Sequence, residues 1–428
     1  MSNADSSKWG STTLKAITTK IGSGATPRGG KESYADSGIA LIRSLNVYPL
    51  VFEYEGLARI NDAQAEELAN VEVRADDVLL NITGASVTRC CMVPNAILPA
   101  RVNQHVAIVR IDEALADARY VMYCLNSPRY KGHLLTLAQG GATREALTKE
   151  KIEGFRIPYP KVTTQRKIGM ILGAYDKLIE NNVCRIRILE DMAGAIYREW
   201  FVEFRAPGLK IRRATAAEKK ATGADVFPEG WGVRVLGELA VNFDARRRPL
   251  SSMERADMKG PYPYYGAAKV VDYINDYIFD GRYLLVAEDG SVITDDRKPV
   301  LQVATGKFWV NNHTHVLQGR SPVSTNLLYM ALREVDIAGF ITGAAQPKIT
   351  QANLNRIPVV LAEEPVLRAF DEMVGHLLAQ VDVLISKNRN LRQTRDLLLP
   401  RLISGGVNVE NLEGTKSALP EAAGVSKQ

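Results

Sequence analysis

The chain has 428 residues, a formal net charge of +6 and an ordinary apolar fraction of 46%, so roughly two to four globular domains are expected rather than one core. Its four cysteines (Cys90, Cys91, Cys124, Cys184) lack CxxC spacing, which argues against zinc and a disulfide framework and fits a reducing cytoplasm. No apolar run reaches 18 residues and the first residues lack a signal pattern, while the basic balance permits nucleic-acid binding without demanding it.

Residues 12–160 read as mixed α/β. Short apolar strands, Val78-Leu79-Leu80 and Val106-Ala107-Ile108-Val109, alternate with Gly-rich turns, and Ala118 to Leu137 has helical spacing. A long seam follows: Ile168, Leu172, Tyr175, Ile179, Asn182, Ile186, Leu189, Ala193, Ile196 and Trp200 step by 4 and 3. That heptad pattern asks for a partner helix over roughly 50 Å. Thr163 or Thr164 is the expected N-cap, and Pro207-Gly208 stops the helix beyond Phe204. Residues 207–228 then read as a linker.

Residues 229–360 repeat the style of the first block. Tyr283-Leu284-Leu285-Val286-Ala287 reads as a strand ending in the turn Glu288-Asp289-Gly290. A second stripe comes next: Phe370, Met373, Leu377, Val381, Leu384, Asn388, Leu391, Leu398 and Leu402, with a local departure from the 3.5 period around 377–384. Asn182 and Asn388 either fix register within the seams or face solvent where the stripes widen. Residues 406–428 read as a disordered tail.

The two blocks are copies. Trp9-Gly10-x-x-x-Leu14-x-x-Ile17 returns 222 residues later as Trp231-Gly232-x-x-x-Leu236-x-x-Leu239. Val102-Asn103-Gln104-His105 returns as Val310-Asn311-Asn312-His313, and Arg156-Ile157-Pro158 as Arg356-Ile357-Pro358. A half of this length is too long for a solenoid unit. The expected fold is therefore mixed α/β: two similar domains at 1–161 and 229–360, with long antiparallel helices at 162–206 and 361–405 forming a coiled-coil spacer with pseudo-two-fold symmetry.

Catalytic signals are missing. There is no Pro-Pro pair, so the Asp/Asn-Pro-Pro-Tyr/Phe pocket of amino-methyltransferases is absent, and no Pro-Asp precedes Glu218-Lys219-Lys220 to complete a nuclease site. Gly22-Ser23-Gly24-Ala25-Thr26-Pro27 resembles the start of a dinucleotide loop but reads as a turn, and no GxxxxGK[ST] loop appears. His313-x-His315 lacks an evident third metal ligand.

What recurs is a supply of side chains able to bond base edges and phosphates. Asn103, Gln104 and His105 match Asn311, Asn312 and His313 at the start of a strand, where they either read DNA or form a hydrogen-bonded corner. The glycine-containing segments reaching Arg144 and holding Gln346 and Lys348 each precede a short helix near Thr148 and Thr350, a phosphate seat in principle. Loops that differ between the copies are better reader candidates: Arg28, Lys31, Arg43, Asn46, Arg246, Arg247 and Lys298, with a solvated face as the alternative for the arginine triplet 246–248; Tyr264 is a further candidate. For the spacer and partner docking the candidates are Ile168, Leu172, Ile179, Asn182, Leu189, Trp200, Phe201, Leu384, Asn388, Leu391 and Leu398.

Taken in order, several pieces resemble the specificity subunit of a type I restriction–modification system. Arg156-Ile157-Pro158-Tyr159-Pro160, Gln165-Arg166-Lys167-Ile168, Ile179-Glu180-x-Asn182 and Trp200-Phe201-Val202-Glu203-Phe204 are similar to that family's central conserved region. Arg395-Asp396-Leu397-Leu398-Leu399-Pro400-Arg401-Leu402-Ile403-Ser404-Gly405 is similar to its distal one. Gly260 to Ala267 and Leu284 to Gly290 resemble pieces of its target-recognition domains. Lys161-Val162-Thr163-Thr164 and Gly406 depart from the pattern at positions where the family often has acidic residues.

The resemblance implies a non-catalytic subunit whose two recognition domains each read half of a split, asymmetric DNA site. The helices would dock two methyltransferase (modification) subunits and, through them, motor-nuclease (restriction) subunits. S-adenosylmethionine, ATP and magnesium would belong to those partners, with no cofactor or metal in this chain. A structural coiled-coil adaptor and a stand-alone DNA-binding protein are the competing readings.

Overall fold

The computed structural model describes residues 9–27, 29, 34–140, 145–343 and 346–410. The chain divides into two compact units, one formed by residues 1–181 with 388–428, the other by residues 182–387. The division falls inside both long helices, Val162–Tyr197 and Glu364–Ser404. Each helix therefore contributes one half to each unit.

In the first unit an antiparallel sheet orders Thr18–Ser23, Val106–Ile111, Val78–Asn81 and Cys90–Met92. Its two central strands, Val78–Asn81 and Val106–Ile111, are mostly apolar because both faces are covered, whereas the edge strand Thr18–Ser23 is largely polar. Val78, Leu80, Ala107 and Val109 point into a core shared with the helix Ala118–Asn126. Leu79, Val106 and Ile108 point into a second core, against a smaller sheet holding Ile39–Ile42 and Ala100–Val102 in parallel. The expected helix from Ala118 to Leu137 is two helices: Ser127 ends the first, and Pro128 starts the second, which runs to Gln139.

The second unit repeats the device with a larger sheet of six strands. Their order is Ala240–Asn242, Thr314–Gly319, Phe279–Ala287, Leu301–Val310, Lys259–Tyr265 and Val270–Ile274. Leu284, Val286 and Leu317 face the helix Thr325–Glu334, while Tyr283, Leu285 and Val316 face the opposite core. The repeated motifs occupy matching places. Ser11–Thr13 pairs antiparallel with Arg156–Pro158, and Gly232–Val235 with Pro358–Leu361.

Within the first unit the helices run antiparallel. Ile168 and Leu172 pack in one core with Leu399, Leu402 and Ile403, while Asn388 bonds the carbonyl of Ile179. Buried Gln165 ties the helix to its domain, accepting from the Asp117 amide (3.0 Å) and donating to the Pro160 carbonyl (2.9 Å). In the second unit Tyr197, Phe201 and Trp200 surround Phe370, with ring centroids 5.1–6.1 Å away. Leu391 in the first unit and Leu189 in the second are each half-buried.

Five expectations need correction. The first helix starts at Val162, so Thr163 and Thr164 lie inside its first turn rather than capping it. In the distal helix Met373 is exposed and Val374 takes its place in the core; with Arg395 also buried, 367, 370, 374, 377, 381, 384, 388, 391, 395, 398 and 402 form an unbroken heptad series. Polar Arg395 concealed this, because its side chain spans the seam to Asp176 (2.5 Å). Residues 207–228 are no bare linker: Ile211–Arg213 pairs with Val226–Pro228 around the helix Ala216–Thr222. Of the expected disordered tail, Val407 and Val409 pack against the first unit's core, and Lys167 donates to the Glu410 carbonyl. Gly22 sits in a strand, and Gly24 passes so close to Val102 that a Cβ there would lie 1.9 Å from its carbonyl oxygen.

Candidate nucleic-acid interface

In the first unit, the end of strand Val78–Asn81 meets the Asn-Gln-His corner. The Asn103 side chain accepts from the His105 amide (3.1 Å), turning the chain into its strand. Thr83 Oγ1 contacts His105 Nδ1 at 2.7 Å, and Ile82 N donates to the His105 carbonyl. Exposed Gln104 bonds Thr26 and approaches His105 Nε2 (3.2 Å). The backbone of Thr83 bridges Ala146, and Leu147 N donates to the Ile82 carbonyl (2.9 Å).

The second unit rebuilds the same corner with different chemistry. Asn311 accepts from the His313 amide (3.0 Å), and Glu288 N donates to the His313 carbonyl. Asp289 stands where Thr83 did and holds His313 Nδ1 at 2.9 Å. Asp289 bridges Lys348, and Ile349 N donates to the Glu288 carbonyl (2.9 Å). The frame is common to both copies; the side chains presented at its rim differ.

Behind the second corner lies an ionic group. His315, fully buried, places Nδ1 2.5 Å from Asp244 and Nε2 2.9 Å from the Ile349 carbonyl. Arg247 turns inward to Glu288 (2.6 Å) and the Thr314 carbonyl, and Lys348 reaches Glu288 at 3.0 Å. Burial alone would lift both carboxyls, but the His315 contact holds Asp244 below its usual range, and Arg247 and Lys348 do the same for Glu288. Among the described residues Asp244, Glu288 and His315 form the one group whose ligand atoms could hold a metal ion. Their carboxylates already serve Arg247, Lys348 and the Val316 amide.

The structure sorts the sequence candidates. Gln104, Asn312, His313, Gln346 and Arg246 are exposed, His105, Arg43 and Asn311 half-buried. Arg246 lies over the Phe279 ring (4.8 Å) and Arg43 over Tyr34 (5.2 Å). Six others are engaged in contacts within the protein. Asn46 is buried and bonds the Glu53 and Glu55 carbonyls; Asn103 forms the corner; Arg247 and Lys348 are paired with Glu288; Tyr264 accepts from the Leu250 amide inside the core; Lys298 donates to the Glu334 carbonyl. Arg28, Lys31 and Arg144 lie outside the described residues. Thr148 and Thr350 cap their own short helices, occupying the proposed phosphate seats with their side chains.

Sequence reasoning missed Thr83 and Asp244, and it named His315 only in the pair His313-x-His315, without the Asp244 and Glu288 carboxylates that stand beside it. Their joint role needs strands distant in sequence, although the Glu288-Asp289-Gly290 turn was visible. Glu218 forms a capping box with Thr215 and an ion pair with Arg212 (2.7 Å), a structural use for the Glu218-Lys219-Lys220 run.

Comparison with known proteins accords with this duplicated architecture. The family described as "Type I restriction modification DNA specificity domain" matches residues 66–189 and 228–390. The chain is 22% identical over 413 residues to the type I restriction enzyme MjaIX specificity subunit of Methanocaldococcus jannaschii, covering 92% of each chain. A Haemophilus influenzae protein named as a type I restriction enzyme specificity subunit is 36% identical over 145 residues, which is 34% of this chain and 35% of that one. The crystal structure of a type I restriction–modification S subunit from M. genitalium superposes with a TM-score of 0.55 at 15% identity, covering 94% of this chain and 98% of the other. With two matched domains and a long helix between them, the chain belongs to the type I restriction–modification specificity subunits.

Proposed function

We propose that this chain is the DNA-reading, non-catalytic subunit of its complex, and that each module reads one half of an asymmetric bipartite site. One observation carries the reading: a common corner frame, repeated in both modules, presents different side chains at its rim. A shared function with two targets asks for that combination, since phosphate contacts can be shared whereas base contacts must differ. On this reading two methyltransferase subunits dock on the long helices and motor-nuclease subunits join through them. S-adenosylmethionine, ATP and magnesium are then used by those partners, in the cytoplasm. Docking is supported by large apolar side chains left on helix surfaces: Met170, Leu178 and Leu397 in the first unit, Ile188, Met192, Val383 and Ile385 in the second. No helix among the described residues is long and apolar enough to cross a membrane.

The test replaces residues 229–356 with the equivalent block of another specificity subunit and maps methylation genome-wide in cells supplying the partners. One half of the methylated motif should change and the other stay. A change in both halves, or in neither, would sink the assignment of one module to one half-site.

A further inference from the structure

The two modules differ at one buried place. Behind the corner of the first, Ile82, Ala107 and Leu147 form an apolar plug. The matching hydrogen bonds, Leu147 N to the Ile82 carbonyl and Ile349 N to the Glu288 carbonyl, align these residues with Glu288, His315 and Ile349 of the second. The second module thus holds a buried imidazole and a largely enclosed carboxylate, 13% exposed, where the first buries hydrocarbon. Buried ions carry a desolvation cost that an apolar plug of similar volume avoids, and the first module shows that the frame accepts such a plug. What the ionic group adds is directionality. Arg247 gives hydrogen bonds to Glu288, to the Thr314 and Asn312 carbonyls and to the Asp244 carbonyl of its own turn. Each of these bonds fixes an angle that a plug would leave loose.

The turn held in this way is the arginine triplet. With Arg247 drawn inward, its neighbours are set on the outside. Arg246 lies against Phe279 and donates to the Ile278 carbonyl (2.6 Å), while Arg248 is exposed and its carbonyl is gripped by the Trp309 indole N–H (2.6 Å). Lys348, the other arm of Glu288, precedes the short helix Gln351–Asn355 and its backbone bridges Thr342 and Asp289, so the same carboxylate also ties down that residue.

We propose that Glu288, with His315 and Asp244, is a positioning residue for DNA readout by the second module, holding Arg247 inward so that Arg248 stands at the surface as a base-contacting arginine. The proposal rests on the assignment of the second module to one half-site. A guanidinium read against a base edge needs its backbone fixed closely, because the paired N–H donors must meet two acceptors at once. Glu288 would touch no DNA itself. The first module, held by its apolar plug, has no such dependence.

The test uses the full chain in its complex with the methyltransferase subunits, with Glu288→Gln and His315→Gln made separately. They attack different arms of the group. Methylation mapping reads the base preference at every position of both half-sites, and thermal unfolding of each variant is followed alongside. Both variants should relax preference roughly tenfold at one or more positions of the second module's half-site, the scale of one bidentate contact, and leave the first module's half-site at wild-type stringency. Arg248→Ala should relax the same positions. A role in stability alone would lower the unfolding temperature and total methylation without altering which bases are preferred, and that result overturns the proposal. So does relaxation of both halves together. Should either variant fail to fold, Lys348→Met removes a half-exposed arm and is judged by the same outcomes. The block exchange of residues 229–356 serves as the control: if it changes one half-site while these variants change none, the positioning role fails and the module assignment stands.

Discussion

Asn388 donates its side-chain amide to the main-chain carbonyl of Ile179 across the paired helices, at 3.3 Å, from a seam position only 2% exposed. A polar group at such a position favours one register over its neighbours, shifted by a heptad, while packing less well than leucine. Asn388→Leu should therefore raise the unfolding midpoint of the chain, by about 1–2 kcal/mol in stability, and broaden its association states. Thermal unfolding with light scattering would check both. A lower midpoint would show that the amide is a net stabiliser here.

Seven residues along the same face, Arg395 pairs with Asp176, which also accepts from Tyr123. The guanidinium side chain is 10% exposed and the carboxylate 25%. Removing the cation leaves a largely buried carboxylate without its counter-charge, a loss near 3–5 kcal/mol for a fully enclosed pair. Allowing for solvent at Asp176, Arg395→Ala should cost about 2–3 kcal/mol. Urea unfolding would measure it, and a cost below about 0.5 kcal/mol would place this pair with ordinary surface ion pairs.

Gln165 satisfies the Asp117 amide and the Pro160 carbonyl at once, and its own side chain is completely buried. Gln165→Leu conserves bulk but strands both groups, so a loss of about 1–3 kcal/mol is expected. Hydrogen exchange at Asp117 and Tyr120 should accelerate with it. Unchanged exchange would mean that water replaces the side chain.

The element at 211–228 carries its own pH signal. The Arg212 guanidinium, with the Thr215 backbone and hydroxyl, holds the Glu218 carboxyl at about 2, below its ordinary 4.5. A depressed carboxyl stabilises fully above its unfolded value, and that contribution disappears as pH falls through the folded one. Wild type should thus exceed Glu218→Gln in stability at pH 6, and the gap should close between about pH 4.5 and 2. Pulse proteolysis of the two chains across that range reads it; a gap that persists at pH 2 would contradict the pairing.

Much of the architecture follows from local pattern. Runs such as Val78-Leu79-Leu80 declare strands covered on both sides, since alternate side chains must each find a core. The 4–3 spacing from Ile168 to Trp200 demands a partner helix whatever the rest of the chain does, and the twofold recurrence of Trp-Gly, Asn-x-His and Arg-Ile-Pro announces two copies of one frame. These signals are legible because they depend on residues near one another in sequence or on repetition.

What tertiary structure decided was the direction of individual side chains. Three consecutive arginines look alike in sequence, yet Arg247 is drawn inward by Glu288, 41 residues away, while Arg246 and Arg248 stay outside. Asn46 and Tyr264 read as DNA contacts but are buried, because carbonyls and amides on neighbouring loops needed a partner. Arg395 interrupted an apolar stripe on paper and completed it in space by reaching Asp176, 219 residues earlier. Periodicity records which face of an element is buried. Whether a polar side chain on a loop faces solvent or an internal acceptor depends on where distant strands end, and only the folded chain brings those ends together.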